Sequence, residues 1–288
     1  MTEPGESLAQ FRLVEYLGEG DWWRAVDTRD DHEVAIKILP TAFAKNPESL
    51  ARFKETARAI AALDHPNIVT IDSVAESGGV HFVSMKLVRG ETLARQLPQN
   101  GLPPEKLVDL ALPLVDALRA AHEQGLTHRY LTPHNVILTE DGRPMILEFG
   151  LAEVRESELD PDVDPDDVPT LTLTQAGARS TLPYMSPEQI YRKPLDHRSD
   201  LFSLGAVLYE MATGKQPFAG ESSADIAVAV LKDQPPPVTG LNPALPERLA
   251  RIIGRALEKD RGRRFQTAQE LHDELAQLGA GQQGSTNE

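Results

Sequence analysis

Between Phe11 and Met85 the apolar positions come in short runs, FRLVEYLGEG, HEVAIKIL and VHFVSMKLV, each bounded by Gly, Asp or Ser. Such runs, closed by turn chemistry, predict β-strands. One stretch breaks the pattern. PESLARFKETARAIAAL repeats its apolar residues at helical spacing, with Pro47 suited to a first turn and DHPN closing the helix. Beyond Gly90 the character becomes mainly helical, with a strand-turn-strand after HRYLTPHN. PEKLVDLALPLVDALRAAHEQG places Leu107, Leu110, Ala111, Leu114, Val115 and Leu118 on one face, ends at Gly125 as a C-terminal cap, and carries Pro113, which predicts a kink. SDLFSLGAVLYEMATG, SSADIAVAVLKD, PERLARIIGRALEKD and TAQELHDELAQLG predict further helices. The expected fold class is α+β with two lobes. The smaller lobe, residues 11–85, is an antiparallel sheet with one helix; a hinge at 86–90 leads to a mainly helical lobe, 91–278. Residues 1–10 and the small, polar 279–288 are expected to be tails. The sequence has no internal repeat.

Residues 153–180, EVRESELDPDVDPDDVPTLTLTQAGARS, crowd acidic residues and prolines without any period and read as a long exposed loop. Its role is either that of solvated surface or regulatory. The 288 residues are 40 % hydrophobic and 25 % charged, ordinary values for a folded domain, and the formal net charge is −15. That charge disfavours nonspecific binding to nucleic acid or to an anionic membrane, so protein or small-molecule partners are expected. The absence of cysteine excludes disulfides, thiolate metal sites and cysteine nucleophiles. No apolar run approaches the roughly 20 residues needed to span a bilayer, and MTEPGESLAQ lacks the features of a signal peptide. A cytoplasmic setting is the resulting expectation.

Six short pieces follow one another in a fixed order: LGEG after the first strand, VAIK, HRYLTPHN, EFG, SPE and DHRSDLFSLG. In this order they resemble the signature set of the bacterial, eukaryotic-like (Hanks-type) Ser/Thr protein kinases, from about Phe11 to Leu278. The resemblance implies a bilobal protein-kinase-like fold with a nucleotide in the cleft and a hinge at Lys86 to Val88. It also implies a set of working parts: a glycine-rich loop over the phosphates, a lysine on them, metal held by a carboxylate and an amide, and a base for the acceptor hydroxyl.

By this resemblance Gly18, Gly20 and Lys37, with Lys86 and Val88 at the hinge, are remnants of an ATP site. The loop departs from the family midway: DWWRAVD follows Gly20, the third glycine is missing, and the turn is about three residues short. Trp22 and Trp23 are too bulky for a turn that hugs phosphate. They fill the cleft roof, pack on a partner or belong to ordinary lobe packing. The helix glutamate that pairs with the family's lysine is replaced by Thr56, and Glu55, one residue earlier, is rotated by about 100°.

In HRYLTPHN, Tyr130 stands at the position of the base and Thr132 at that of a lysine. A positioned base is worth about 10²–10⁴-fold, and a phenol that titrates near about 10 is no substitute at neutral pH. Asn135 matches the metal-binding amide, or serves its own turn, and Arg129 is structural or pairs with a phosphate. Glu148 replaces the metal-binding aspartate with a longer side chain. Mg²⁺ wants octahedral geometry at about 2.0–2.1 Å, and a misplacement of about 1 Å costs on the order of 10²-fold.

Glu188 and Arg264 match a structural ion pair of the family, and Asp200 matches the aspartate that braces the catalytic loop. Altered chemistry within a preserved frame resembles a pseudokinase. The expected function is that of an inactive or severely impaired kinase-like module for protein interaction, scaffolding or regulation in Ser/Thr phosphorylation signalling. It would require no cofactor, and its ATP and Mg²⁺ binding would be weak or absent. An active Ser/Thr kinase or a phosphothreonine-binding protein is the expected partner. Thr170, Thr172 and Thr174 lie where active relatives carry regulatory phosphosites, although β-prone loop residues would look the same. The alternatives are a weak or unconventional ATP-dependent Ser/Thr kinase, or a nucleotide sensor without turnover.

Overall fold

The computed structural model describes residues 3–18, 21–149, 151 and 180–283. The smaller lobe is a six-stranded antiparallel sheet in the order β1-β2-β3-β4-β6-β5. Its strands are β1 (Ser7–Leu8), β2 (Phe11–Gly18), β3 (Trp22–Asp27), β4 (Glu33–Ile38), β5 (Ile71–Ser77) and β6 (Val80–Lys86). Strand periodicity sorts the side chains onto two faces. Val34, Ile36, Trp23, Ala25, Leu13 and Phe82 form one apolar cluster, while Ala35, Val83 and Met85 pack with Phe53 and Ala57 in another. Phe53 and Ala57 come from α2 (Pro47–Ala61), which follows the short α1 (Thr41–Ala44). The Asn46 side chain caps α2 by accepting from the backbone amides of Glu48 and Ser49, and Pro47 occupies the first turn.

The N-terminal tail enters this sheet. Ser7 and Leu8 pair with Arg12 and Phe11, and Leu8 is buried in the apolar cluster, so residues 1–10 are not simply a tail. Two residues are too few to show a strand period, but a single buried leucine is enough to hold them.

A second sheet joins the lobes. Its strands are β7 (Gly90–Thr92), β8 (Val136–Thr139) and β9 (Pro144–Ile146). Ile146 exchanges backbone hydrogen bonds with the segment before β5: it donates to Asn67 at 2.8 Å and accepts from Val69 at 2.9 Å.

The larger lobe is built on α4 (Pro104–Glu123), preceded by α3 (Leu93–Gln96) and running unbroken through Pro113. Short α5 (Pro187–Ile190) precedes α6 (His197–Thr213), which is buried almost all round, as a helix at the centre of a lobe must be. Gly214 ends α6 in the left-handed region at φ 69°, where a Cβ would lie 2.3 Å from the Gln99 carbonyl oxygen, so only glycine fits. Then come α7 (Ser223–Lys232), α8 (Val238–Leu241), α9 (Glu247–Ala256) and α10 (Ala268–Gln283). The last helix therefore runs into the segment expected to be a flexible tail.

Candidate functional site

Lys37 sits on β4 beside Ala35, on the face toward the cleft, and is only 3 % exposed. The β3–β4 register sets Trp22 directly across from it, with the lysine Nζ 5.7 Å from the indole centroid, within cation–π reach. The β2–β3 hairpin explains why an indole occupies this place. Gly18 pairs with Trp22, so the first residue of β3 is a tryptophan. Strand alternation then sends Trp23 to the other face, where it is buried and meets Tyr16 edge-on at 5.3 Å.

Opposite Trp22, in the larger lobe, lies Glu148. It is 9 % exposed and holds a left-handed backbone at φ 65°, a conformation that is rare for a residue with a side chain. Trp22 donates from Nε1 to Glu148 Oε1 at 3.0 Å. Asn135 donates from Nδ2 to Glu148 Oε2 at 2.8 Å, and Thr132 donates from Oγ1 to Asn135 Oδ1 at 2.9 Å. A carboxylate can only accept, so Glu148 fixes the amide orientation of Asn135, which in turn directs the threonine hydroxyl. Thr132 Oγ1 also accepts from the His134 amide at 3.2 Å, capping the short 3₁₀ turn Pro133–Asn135. Four side chains thus form one hydrogen-bonded chain from the roof of the cleft to its floor.

Glu148 Oε1, Glu148 Oε2 and Asn135 Oδ1 each already accept one protein hydrogen bond, so an Mg²⁺ at this end of the cleft would meet a carboxylate and an amide that are partnered to protein. No cluster of three or more His, Cys, Asp or Glu suited to a metal occurs among the described residues.

Tyr130 is half-buried, with its ring packed against the core of the larger lobe, and its amide meets His128 Nδ1 at 3.3 Å. On α2, Glu55 is exposed and Thr56 half-buried, while Phe53, Ala57 and Ile60 take the buried face. Lys86 is exposed at the end of β6, and Val88 is half-buried against the small-lobe core. Gly20, Thr170, Thr172 and Thr174 lie outside the described residues, as does most of the acidic segment 153–180.

The frame around the loop is densely bonded. Asp200, wholly buried in the first turn of α6, accepts from the amide of Arg129 at 2.7 Å, from that of His128 at 2.8 Å and from His122 Nε2 at 2.8 Å. These bonds hold Arg129 in a left-handed conformation at φ 66°. Burial alone would raise the Asp200 carboxyl, but the His122 hydrogen bond and the nearby histidines outweigh it and hold it below the usual range. Gln189, just after Glu188, donates to the Arg129 carbonyl. Arg264, 0 % exposed, grips Glu188 with both terminal nitrogens at 2.6 and 2.8 Å. It also donates to the carbonyls of Glu258, Lys259 and Arg198, while Ser199 donates to Glu188 at 2.8 Å. Burial pushes the Glu188 carboxyl up, and Arg264 more than reverses this. His122 and Gln189 carry much of the frame and no sequence motif marked them, while Ser199 lies within DHRSD without having been singled out.

These carboxylates make stability depend on pH. Asp200 and Glu188 have folded values below their unfolded ones, and Asp196, which caps α6, is held down to about 2 chiefly by its hydrogen bond to Arg198. Their contributions are complete above the unfolded carboxylate range near about 4 and are lost as pH falls through the folded values. Half-buried Glu210 is raised by desolvation and acts in the opposite sense. Thermal melting is expected to hold level near neutrality and to fall between about pH 4 and pH 2, with Asp200→Asn lowering and flattening the profile. A wild-type melting temperature unchanged down to pH 2 would exclude this account.

A strand-rich lobe over a helical lobe, with a lysine, an amide and a carboxylate converging between them, is the architecture of a phosphotransferase cleft. The sequence profile of the protein kinase domain matches residues 11–275, and the chain belongs to that family. A probable serine/threonine-protein kinase of Clostridium acetobutylicum is 34 % identical over 93 % of this chain and 40 % of its own length. The serine/threonine-protein kinase PrkC of Bacillus subtilis is 32 % identical over 92 % of this chain and 40 % of its own length. PknA of Mycobacterium tuberculosis is 34 % identical over 94 % of this chain and 61 % of its own length. The chain thus spans between two-fifths and about three-fifths of these relatives. The crystal structure of the Mycobacterium tuberculosis PknI kinase domain shares the fold, with a TM-score of 0.71 at 24 % identity over 96 % of this chain and 99 % of that one. No helix among the described residues is long and apolar enough to cross a membrane.

Proposed function

We propose that this chain is a catalytically impaired protein-kinase domain that acts by binding other proteins of Ser/Thr phosphorylation signalling, with ATP and Mg²⁺ binding weak or absent. The observation that carries this reading is the hydrogen-bonded chain Trp22–Glu148–Asn135–Thr132. It ties up the residues that would hold metal, while Tyr130 leaves the loop without a carboxylate at the position of the base. Phosphoryl transfer depends on positioned metal and charge, and several terms of about 10²-fold are removed at once. The densely bonded frame of Asp200, Glu188 and Arg264 supports a fold retained for its surface.

The partner class that fits is an active Ser/Thr kinase, or a protein that reads phosphothreonine, with Thr170, Thr172 and Thr174 as the proposed modified positions. Incubation with radiolabelled ATP–Mg²⁺ tests both halves. Label that enters the chain only when an active Ser/Thr kinase is added agrees with the proposal. Label transferred by the chain alone, to itself or to a generic substrate, and lost in Lys37→Ala, contradicts it.

A further inference from the structure

We infer that Trp22 is a built-in occupant of the metal and phosphate end of the cleft, a latch that joins the two lobes and excludes nucleotide from inside. This inference rests on the impaired-cleft reading and names the residue that enforces it. Loss of Tyr130 and Thr132 chemistry would by itself slow transfer while leaving nucleotide and metal free to bind. The position of Trp22 is a separate obstacle.

Three observations converge on it. The indole reaches from the small-lobe sheet to the larger lobe through its 3.0 Å bond to Glu148. Its ring lies 5.7 Å from the nitrogen of the buried Lys37. It also packs against the apolar cluster that combines small-lobe residues such as Ala35 and Val83 with Leu147 and Met145 beside Glu148. The indole therefore occupies by its bulk, and satisfies by its N–H, the two groups that a metal–triphosphate would need. A charged ligand can enter only by displacing a ring whose hydrogen bond to a charged partner is already made. The pairing of Trp22 with Gly18 on one side and Lys37 on the other holds the indole in place while β3 keeps its register.

The test is the binding of a fluorescent ATP analogue labelled on the ribose, with and without Mg²⁺, to wild type, Trp22→Phe and Trp22→Ala. Trp22→Phe keeps most of the ring and deletes only the N–H, so it guards against a variant that fails to fold; circular dichroism checks both. Wild type is expected to show no saturable binding. Both variants are expected to bind at least about tenfold more tightly, as follows from removing one hydrogen bond to a carboxylate. The Mg²⁺ dependence should appear in Trp22→Phe, where Glu148 Oε1 is released. In a Trp23→Phe background Trp22 is the only tryptophan of the two left, and its emission should be unmoved by ATP–Mg²⁺ but red-shifted by Glu148→Ala.

If folded variants bind no better than wild type and none binds, the latch is overturned while the impaired-cleft reading stands. If wild type binds as tightly as both variants, the latch and that reading fall together.

Discussion

Tyr130→Asp combined with Thr132→Lys, which returns a carboxylate base and a cation to the catalytic loop, is expected to leave phosphotransfer at the wild-type background. A base in the right place is worth about 10²–10⁴-fold, yet it acts only on a substrate that metal and phosphate contacts have positioned. In the double variant Thr132→Lys releases the Asn135 oxygen, but Trp22 still bonds Glu148 Oε1 and Asn135 still bonds Glu148 Oε2, so the cleft remains spanned by the indole. Groups that work as a unit do not repair one at a time. Adding Trp22→Phe and Glu148→Asp to the pair is expected to raise transfer by at least about 10²-fold, the scale of a corrected misplacement. Initial-rate measurements with radiolabelled ATP on a generic protein substrate separate the cases. Substantial activity in the double variant alone would show that the metal residues are not blocked.

Arg264→Ala is expected to cost about 3–5 kcal/mol, the usual penalty for stranding one partner of a buried ion pair. Arg264 is fully buried and donates to both oxygens of Glu188 and to three backbone carbonyls, so its removal leaves an uncompensated carboxylate and open acceptors between α5, α6 and the turn before α10. For a protein of this size each kcal/mol corresponds to about 2–4 °C, which puts the expected drop in melting temperature at about 6–20 °C. The double variant Arg264→Met with Glu188→Leu should recover part of the loss, because it removes the orphaned charge as well. Calorimetry of the three proteins checks this. A single variant within about 2 °C of wild type would mean that the pair does not hold the larger lobe together.

Much of the architecture was legible in the chain, because the small-lobe runs and the large-lobe helices carry different periods. Buried β4 shows why even a strand with apolar residues on both faces could be recognised: Val34 and Ile36 feed one cluster, Ala35 another, and turn residues bound the run. The ends were less legible. Ser7 and Leu8 are too few to display alternation, and GAGQQ reads as a frayed end because glycine is a poor helix former, although α10 continues through it to Gln283.

At the site, the sequence singled out Lys37, Asn135 and Glu148 as candidates but not the bonds that connect them to Trp22 and Thr132. Trp22 and Trp23 are adjacent in the chain, and which one faces the cleft depends on a register that a one-residue slip would invert. Pairing of Gly18 with Trp22 fixes it. The bond from Trp22 to Glu148 spans 126 positions and that from His122 to Asp200 spans 78, separations that leave no local pattern in a single sequence.

Isothermal titration of ATP into the purified chain, with and without Mg²⁺, addresses the central claim most directly. The hydrogen-bonded chain from Trp22 to Thr132 predicts no saturable heat at millimolar nucleotide, and no change when Mg²⁺ is added. Binding in the micromolar range that strengthens with Mg²⁺ would contradict it, since the cation would then have to reach oxygens of Asn135 and Glu148 that are hydrogen-bonded to protein.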